Sequence, residues 1–370
     1  MSKENKMFIL ITIILILIIL GIIMFCNFKE KKDNKKMPLT EGVAVVPTMN
    51  DRISGDSSWC GTFQLVWNDM KNQVVGKDIV FTPQLEMAEN LNLEDFNENM
   101  ISSNYYYKAY GLKTLELKKK IEDGIKIKFN QSSDILNDFD WSDDALNKEN
   151  TGKLRYFFYT MLYREFNYLY KFDVLKNDRF ANYNNAQYFG IDNSTNKLVR
   201  EQIEVLFYND KNNFALLINT KDNDQVIYYK NPKGNTFNEI YDNMLIEKSK
   251  YKGDKNFNKN DYFKAPYIDF NVKRVYEEFE NKKFETNNPV YPTAEIMKAI
   301  QSISFSINEK GGKVKSEAGI DVVEKSTLSP SDLPRYFYVD DKFAIFLKEK
   351  NRDKPYFGSL VNDITKYQPK

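Results

Sequence analysis

Trp59-Cys60-Gly61 sets a thiol between a large ring and a glycine, a setting from which a cysteine can act as a nucleophile. Such a thiol needs a base to take its proton, and the 370-residue chain contains no histidine. The same absence removes Ser-His-Asp catalysis and every histidine-ligated metal site. Cys26 is the one other cysteine, so the single thiol of the globular part can make neither an internal disulfide nor a zinc site. Cys60 is therefore expected to be a buried structural residue. Asp134, Asp138, Asp140, Asp143 and Asp144 gather around Trp141. A calcium loop would also need a turn glycine and a closing glutamate, and both are missing, so a solvated acidic loop is expected. No carboxylate pair stands out for glycoside hydrolysis, and no glycine-rich loop offers itself to phosphate. The expectation is a protein that is not an enzyme and has no cofactor or metal. A formal net charge of +1 also argues against a nucleic-acid partner, which would want a basic stripe.

The stretch from Ile300 to Val323 is patterned. Over Ile300 to Ile307 the residues alternate: Ile300, Ser302, Ser304 and Ser306 on one face, Ile303, Phe305 and Ile307 on the other, which predicts a strand. Gly311 and Gly312 interrupt it. The alternation then resumes, with Gly312, Val314, Ser316, Ala318, Ile320 and Val322 small or apolar, and Lys313, Lys315, Glu317, Gly319 and Asp321 between them mostly charged. A loop has no need of a two-residue period, whereas a segment able to become a half-buried strand does.

Asn308-Glu309-Lys310-Gly311, preceded by Ile300-Gln301, resembles the hinge of the serpin family, Asn-Glu-Glu-Gly, which follows the fifth strand of that family's main sheet and leads into a mobile reactive loop. Other segments are similar to the family in the same order. They are Gly76 to Pro83, the hairpin Val205–Tyr208 with Phe214–Ile218, the strand Ala265–Phe270, the strand Phe343–Leu347 and the last strand, Tyr356–Asn362.

The resemblance implies a serpin-like α+β fold, with helices packed on a large mixed sheet, smaller sheets and an exposed loop. It implies a hinge at Glu309, Gly311 and Gly312, an inserting face of Val314, Ser316, Ala318, Ile320 and Val322, and a scissile bond at Lys325-Ser326. The implied partner is a trypsin-like serine protease, cut off from turnover when the cleaved loop enters the sheet as an extra strand. The chain departs from the family's hinge, which continues with threonine or serine and then alanines. Gly312 replaces the hydroxyl residue, and Lys315 and Glu317 interrupt the small ones. A non-inhibitory protein of the same fold, binding a partner or serving as a decoy substrate, stays open beside the inhibitor, as does an unrelated anchored binding domain.

The elements that must carry this loop begin with an anchor. Met7 to Cys26 is uninterrupted and apolar, about 20 residues or roughly 30 Å as a helix, enough to cross a bilayer. Residues 1–28 are read as an uncleaved single span, 29–56 as a polar tether with Pro38, Gly42, Pro47 and Gly55, and 57–370 as the serpin-like domain. Lys29, Lys31, Lys32, Lys35 and Lys36 follow the span and, taken literally, favour a cytoplasmic domain. An extracytoplasmic domain is nevertheless expected, because the resemblance implies a protease outside the cell. Phe63 to Met70 suits a first helix behind the sheet, Gln84 to Thr151 reads as helical and acidic, Arg155 to Tyr170 as core, and short strands dominate from Leu198 onward.

Overall fold

The alternation after Ala299 becomes a strand in the computed structural model, which describes residues 38–148, 152–192, 197–314 and 333–369. Six strands form two antiparallel ladders, a two-stranded one of Tyr106–Leu112 (β1) and Tyr156–Leu162 (β2), and a four-stranded one of Arg164–Asn167 (β3), Ile268–Val275 (β4), Ile300–Ile307 (β5) and Gly311–Val314 (β6). β4 and β5 pair antiparallel over their full length, from Ile268 opposite Ile307 to Val275 opposite Ile300. Ile303, Phe305 and Ile307 are buried beside Phe270 and Val272, while Ser302, Ser304 and Ser306 turn away from the core. The ladder continues in the order β4-β5-β6-β3. Tyr163 alone separates β3 from β2, and β2 pairs antiparallel with β1, Tyr106 opposite Leu162.

A seven-stranded sheet packs behind it. Its order is Ala44–Val46, Ser57–Cys60, Phe357–Val361, Phe343–Glu349, Asp224–Lys230, Asn213–Asn219 and Ile203–Asp210. The strands expected at Phe343–Leu347 and Tyr356–Asn362 and the hairpin after Val205 all lie in this sheet. Asp224–Lys230 and Phe357–Val361 are buried at every position, as central strands covered on both faces are. The strand expected at Ala265–Phe270 divides. Tyr262–Pro266 belongs to a four-stranded sheet with Tyr188–Gly190 and Tyr336–Tyr338, and the chain crosses to β4 after Pro266. Proline has no N–H to give a ladder, so it suits such a crossing.

Helix α1, Thr62–Met70, buries Phe63, Leu65 and Trp67 behind β2, as Phe63–Met70 predicts. The region from Gln84 to Thr151 is less helical than its composition. Tyr106 to Leu112 forms β1, whose three tyrosines, Tyr106, Tyr107 and Tyr110, favour a pleated surface over a helix. Helix α2, Leu115–Phe129, follows. Thr114 caps it, its Oγ1 accepting from the Leu117 N–H at 3.1 Å, and Leu117, Ile121 and Ile125 make its buried stripe. The tether is also shorter than 29–56. Ala44–Val46 pairs parallel with Ser57–Cys60, and Val45, Val46 and Met49 are buried, so the folded unit begins at Leu39. The short apolar run Val43–Val46 was hidden by the flanking Gly42 and Pro47, which suggested a tether. Several sheets, mostly antiparallel, with a few helices set between their strands, make this an α+β domain. Among the described residues no helix is long and apolar enough to cross a membrane; the run Met7–Cys26 lies outside them.

Candidate functional site: the hinge and its slot

After Ile307 the chain turns through Asn308–Lys310 and folds back as β6. The Asn308 Oδ1 accepts from the Lys310 N–H at 2.9 Å, and the Asn308 N–H donates to the Gly311 carbonyl at 2.8 Å. Gly311 sits at φ +155°, and a Cβ there would meet the Phe166 carbonyl oxygen at 2.1 Å, so only glycine fits. A Cβ at Gly312 would stand 2.4 Å from Cζ of Phe166. This explains the missing hydroxyl residue: the ring of Phe166, itself buried, occupies the room a threonine would take.

β6 is antiparallel to both neighbours. Ser306 and Ile307 of β5 face Lys313 and Gly312 on one side. Asn167, Phe166, Glu165 and Arg164 of β3 face Gly311, Gly312, Lys313 and Val314 on the other. β5 and β3 are therefore parallel, with β6 wedged between them. The face expected to turn inward does so at Gly312, which lies on Phe166, and Lys313 turns outward, its Nζ 3.0 Å from Glu165. Below this point the inner side of β5, from Ile300 to Phe305, has no strand partner among the described residues.

The turn is tied down as well. The Tyr168 N–H donates to the Lys310 carbonyl and the Phe172 N–H to the Glu309 carbonyl, each at 2.9 Å. The Tyr267 hydroxyl donates to Glu309 Oε2 at 2.7 Å, and Lys171 stands 3.7 Å from the other oxygen. Burial pulls the Glu309 carboxyl upward. The Tyr267 hydroxyl, the residue's own N–H and the ammonium groups of Lys171 and Lys310 outweigh it and hold the group below the usual range.

Beneath the landing place of β6 lies a charged cluster with no counterpart in the sequence reading. Arg164, opposite Val314, sends its Nε to Asp224 Oδ2 at 2.6 Å and its Nη1 to Glu349 Oε1. All three side chains are almost wholly shielded from solvent. The Tyr105 ring covers the guanidinium, 3.6 Å from its carbon, and the Tyr356 hydroxyl donates to Asp224 Oδ1 at 2.9 Å. Ser102 gives its N–H and its hydroxyl to Glu349. Burial pushes the Asp224 carboxyl up to about 7 in spite of Arg164 and Tyr356. Burial acts on Glu349 too, but Ser102 and Arg164 win and keep it below its ordinary value. One guanidinium thus pins the hinge strand's neighbour to two strands of the rear sheet.

The structure brings Glu309, Gly311 and Gly312 together and sets Val314 in the β6 backbone. Ser316, Ala318, Ile320, Val322, Lys325 and Ser326 lie outside the described residues. Cys60 is buried, and burial pushes its thiol up to about 11, which makes it a poor nucleophile at neutral pH. Around Trp141, Asp138 pairs with Lys273 at 2.9 Å and Asp143 with Lys148 at 2.8 Å.

No family model matches the chain, and no curated protein does. Solved structures do. The mouse protein-Z dependent protease inhibitor aligns over 84% of this chain and 91% of its own, at 13% identity and a TM-score of 0.49. Serpin48, described as a highly specific serpin of the insect Tenebrio molitor, aligns over 84% and 92%, at 12% identity and 0.46. A thyroxine-binding globulin in complex with thyroxine aligns over 83% and 92%, at 13% identity and 0.44. The chain is thus similar to serpins over most of its length, and at these identities the likeness concerns the fold alone.

Proposed function

We propose that this chain is a serpin-like inhibitor of a trypsin-like serine protease and is not itself an enzyme. It works by cleavage of its loop and insertion of the cut strand. One observation carries the reading: Gly311–Val314 already lies between two parallel strands and is antiparallel to both. A strand added there satisfies its backbone on both sides. Continued in the same register, Ser316, Ala318, Ile320 and Val322 share the face of Gly312. Burying Ile320 and Val322 would contribute about 1.5–3 kcal/mol each. A slip of one residue would bury Lys315 and Glu317 instead, at a cost of several kcal/mol.

In this reading the protease serine attacks the carbonyl of Lys325. The bond to Ser326 breaks, Ser326 leaves as a free amine, and the protease stays as an ester on Lys325. Insertion from Gly312 onward then carries the ester away from the water that would hydrolyse it. The apolar run Met7–Cys26 supports a single membrane span with the folded unit outside the cytoplasm, where such a protease would meet it.

A second reading, a non-inhibitory surface protein that binds a partner or serves as a decoy substrate, is favoured by how firmly the hinge is held. Tyr168, Phe172, Tyr267 and Glu165 all bond it before any cleavage. Trypsin-like protease incubated with the protein and run on a denaturing gel separates the two. A stable covalent adduct supports the inhibitor; clean cleavage between Lys325 and Ser326 with full protease activity left over supports the second reading and ends the first.

A further inference from the structure

Beside the first turn of helix α1 lies a small cavity where four segments of the chain meet. Thr48 and Met49 line it from the turn after the strand Ala44–Val46, Trp59 from the rear sheet, Gln64 from α1, and Asp95 and Phe96 from the loop before β1. It leaves about 10 Å³ open to the centre of a water molecule, room for one and for nothing larger.

Two of the lining residues each carry a buried polar atom with no hydrogen-bond partner among the described residues: Trp59 Nε1, a donor, and Gln64 Oε1, an acceptor. Both residues are buried, Trp59 at 0% exposure and Gln64 at 1%. Buried polar groups in folded chains are paired with protein or with ordered water. Neither of these two is free to turn toward a protein partner. The Gln64 Nε2 gives its two hydrogens to Asn68 Oδ1 and to the Leu91 carbonyl, each at 2.7 Å. A carbonyl only accepts, so the amide cannot flip and Oε1 remains the open atom. The Trp59 ring meets Phe96 edge to face, with centroids 5.6 Å apart and planes at 83°. Phe96 in turn fills the space beside Gly61, where a Cβ would come within 2.1 Å of its ring. The other two tryptophans set the contrast. Trp67 Nε1 donates to Asn92 Oδ1 at 3.0 Å, and Trp141 Nε1 donates to the Leu136 carbonyl at 2.7 Å.

We infer that this cavity is a site for one structural water, which accepts from the Trp59 indole N–H and donates to Gln64 Oε1, joining the rear sheet to helix α1. The two atoms select the ligand. A cation would be opposed by the indole N–H, and an anion by the amide oxygen. Only a molecule that both accepts and donates suits the pair, and only water is small enough. Its second hydrogen has an acceptor in the same wall, the Asp95 carboxylate, whose Oδ2 also takes a bond from Asn50 Nδ2. Three polar partners are the usual number for a buried water.

The full chain, isotope-labelled at its indole nitrogens and held in mild detergent because of its apolar run, tests this by magnetisation transfer from water. Trp59→Phe, Trp67→Phe and Trp141→Phe, made one at a time, assign the three indole signals. Dipolar transfer with the sign of a bound water is expected at Trp59 and absent at Trp67 and Trp141. Gln64→Met keeps the bulk of the side chain and removes the acceptor, so the transfer at Trp59 should be lost while the Trp141 signal stays in place. A crystal structure should show one water about 2.7–3.2 Å from both Trp59 Nε1 and Gln64 Oε1. No transfer at Trp59, equal transfer at all three indoles, transfer unchanged in Gln64→Met, or a dry cavity in the crystal overturns the proposal. The wild-type measurements decide the matter even if Gln64→Met fails to fold.

Discussion

Arg164→Met tests the buried cluster that pins β3 to the rear sheet. The substitution keeps the bulk of the side chain and removes the charge, leaving Asp224 and Glu349 without the cation between them. At about 4 Å and an effective dielectric constant of about 20, each ion contact is worth about 4 kcal/mol before desolvation. Desolvation offsets much of that, and removing one member of a buried pair costs about 3–5 kcal/mol in all. With a slope of about 3 kcal/mol per molar urea, the unfolding midpoint should fall by about 1–2 M. The loss should depend on pH with a definite sign. The Asp224 carboxyl is raised by burial to about 7 from an ordinary value of 3.8. Between those values the folded state holds a proton that the unfolded state has released, so the site's contribution to stability falls as pH rises through that window. Without Arg164 the window extends upward, and the cost of the substitution should grow from pH 5 to pH 8. Replacing the three together, Arg164→Met with Asp224→Leu and Glu349→Leu, should recover most of the loss. A cost below about 1 kcal/mol at pH 7.5, or one equal at pH 5 and pH 8, refutes the reasoning.

Three further outcomes are expected. Gly312→Thr alone should destabilise the hinge by about 1–3 kcal/mol through its clash with Phe166, and Phe166→Ala should relieve it, so a double-mutant cycle by urea unfolding should give a coupling above about 1 kcal/mol. Gly311→Ala should free the hinge, read as faster hydrogen exchange at the Tyr168 and Phe172 amides; unchanged exchange would mean that the close approach to the Phe166 carbonyl is not binding. Cleavage at Lys325 should raise the thermal midpoint sharply if the loop inserts, and Val314→Asp should abolish the rise, while Lys313→Gln should barely alter it, losing only an exposed pairing to Glu165 worth under about 1 kcal/mol.

The hinge was legible because a period of two leaves a mark in the sequence. Ile303, Phe305 and Ile307 announced β5, and the doubled glycine announced the turn. The reason for Gly312 was not legible, since Phe166 lies far away in the chain and its ring meets the glycine only through strand pairing. Arg164, Asp224 and Glu349 were missed for the same reason. The one local sign was a charge set within apolar runs, as in Met161-Leu162-Tyr163-Arg164 and Phe346-Leu347-Lys348-Glu349. β1 fell inside a stretch read as helical and acidic, because its rings count as core in either state and only the period decides. The early strand Ala44–Val46 fell inside a stretch whose prolines and glycines pointed to a tether.

The rear sheet carries a consequence for how the chain is assembled in time. Phe343–Glu349 and Phe357–Val361 occupy the middle of that sheet, between Ser57–Cys60 and Asp224–Lys230. The two halves of the sheet thus cannot touch until a segment supplied late in synthesis has arrived between them. Arg164 must wait for Glu349, 185 residues downstream, although Asp224 is only 60 away. Contacts of such long separation close slowly, and until they close the edges on either side stay open to other chains. A ribosome-bound chain lacking the residues after 342 should therefore hold its earlier hairpins without a joined rear sheet.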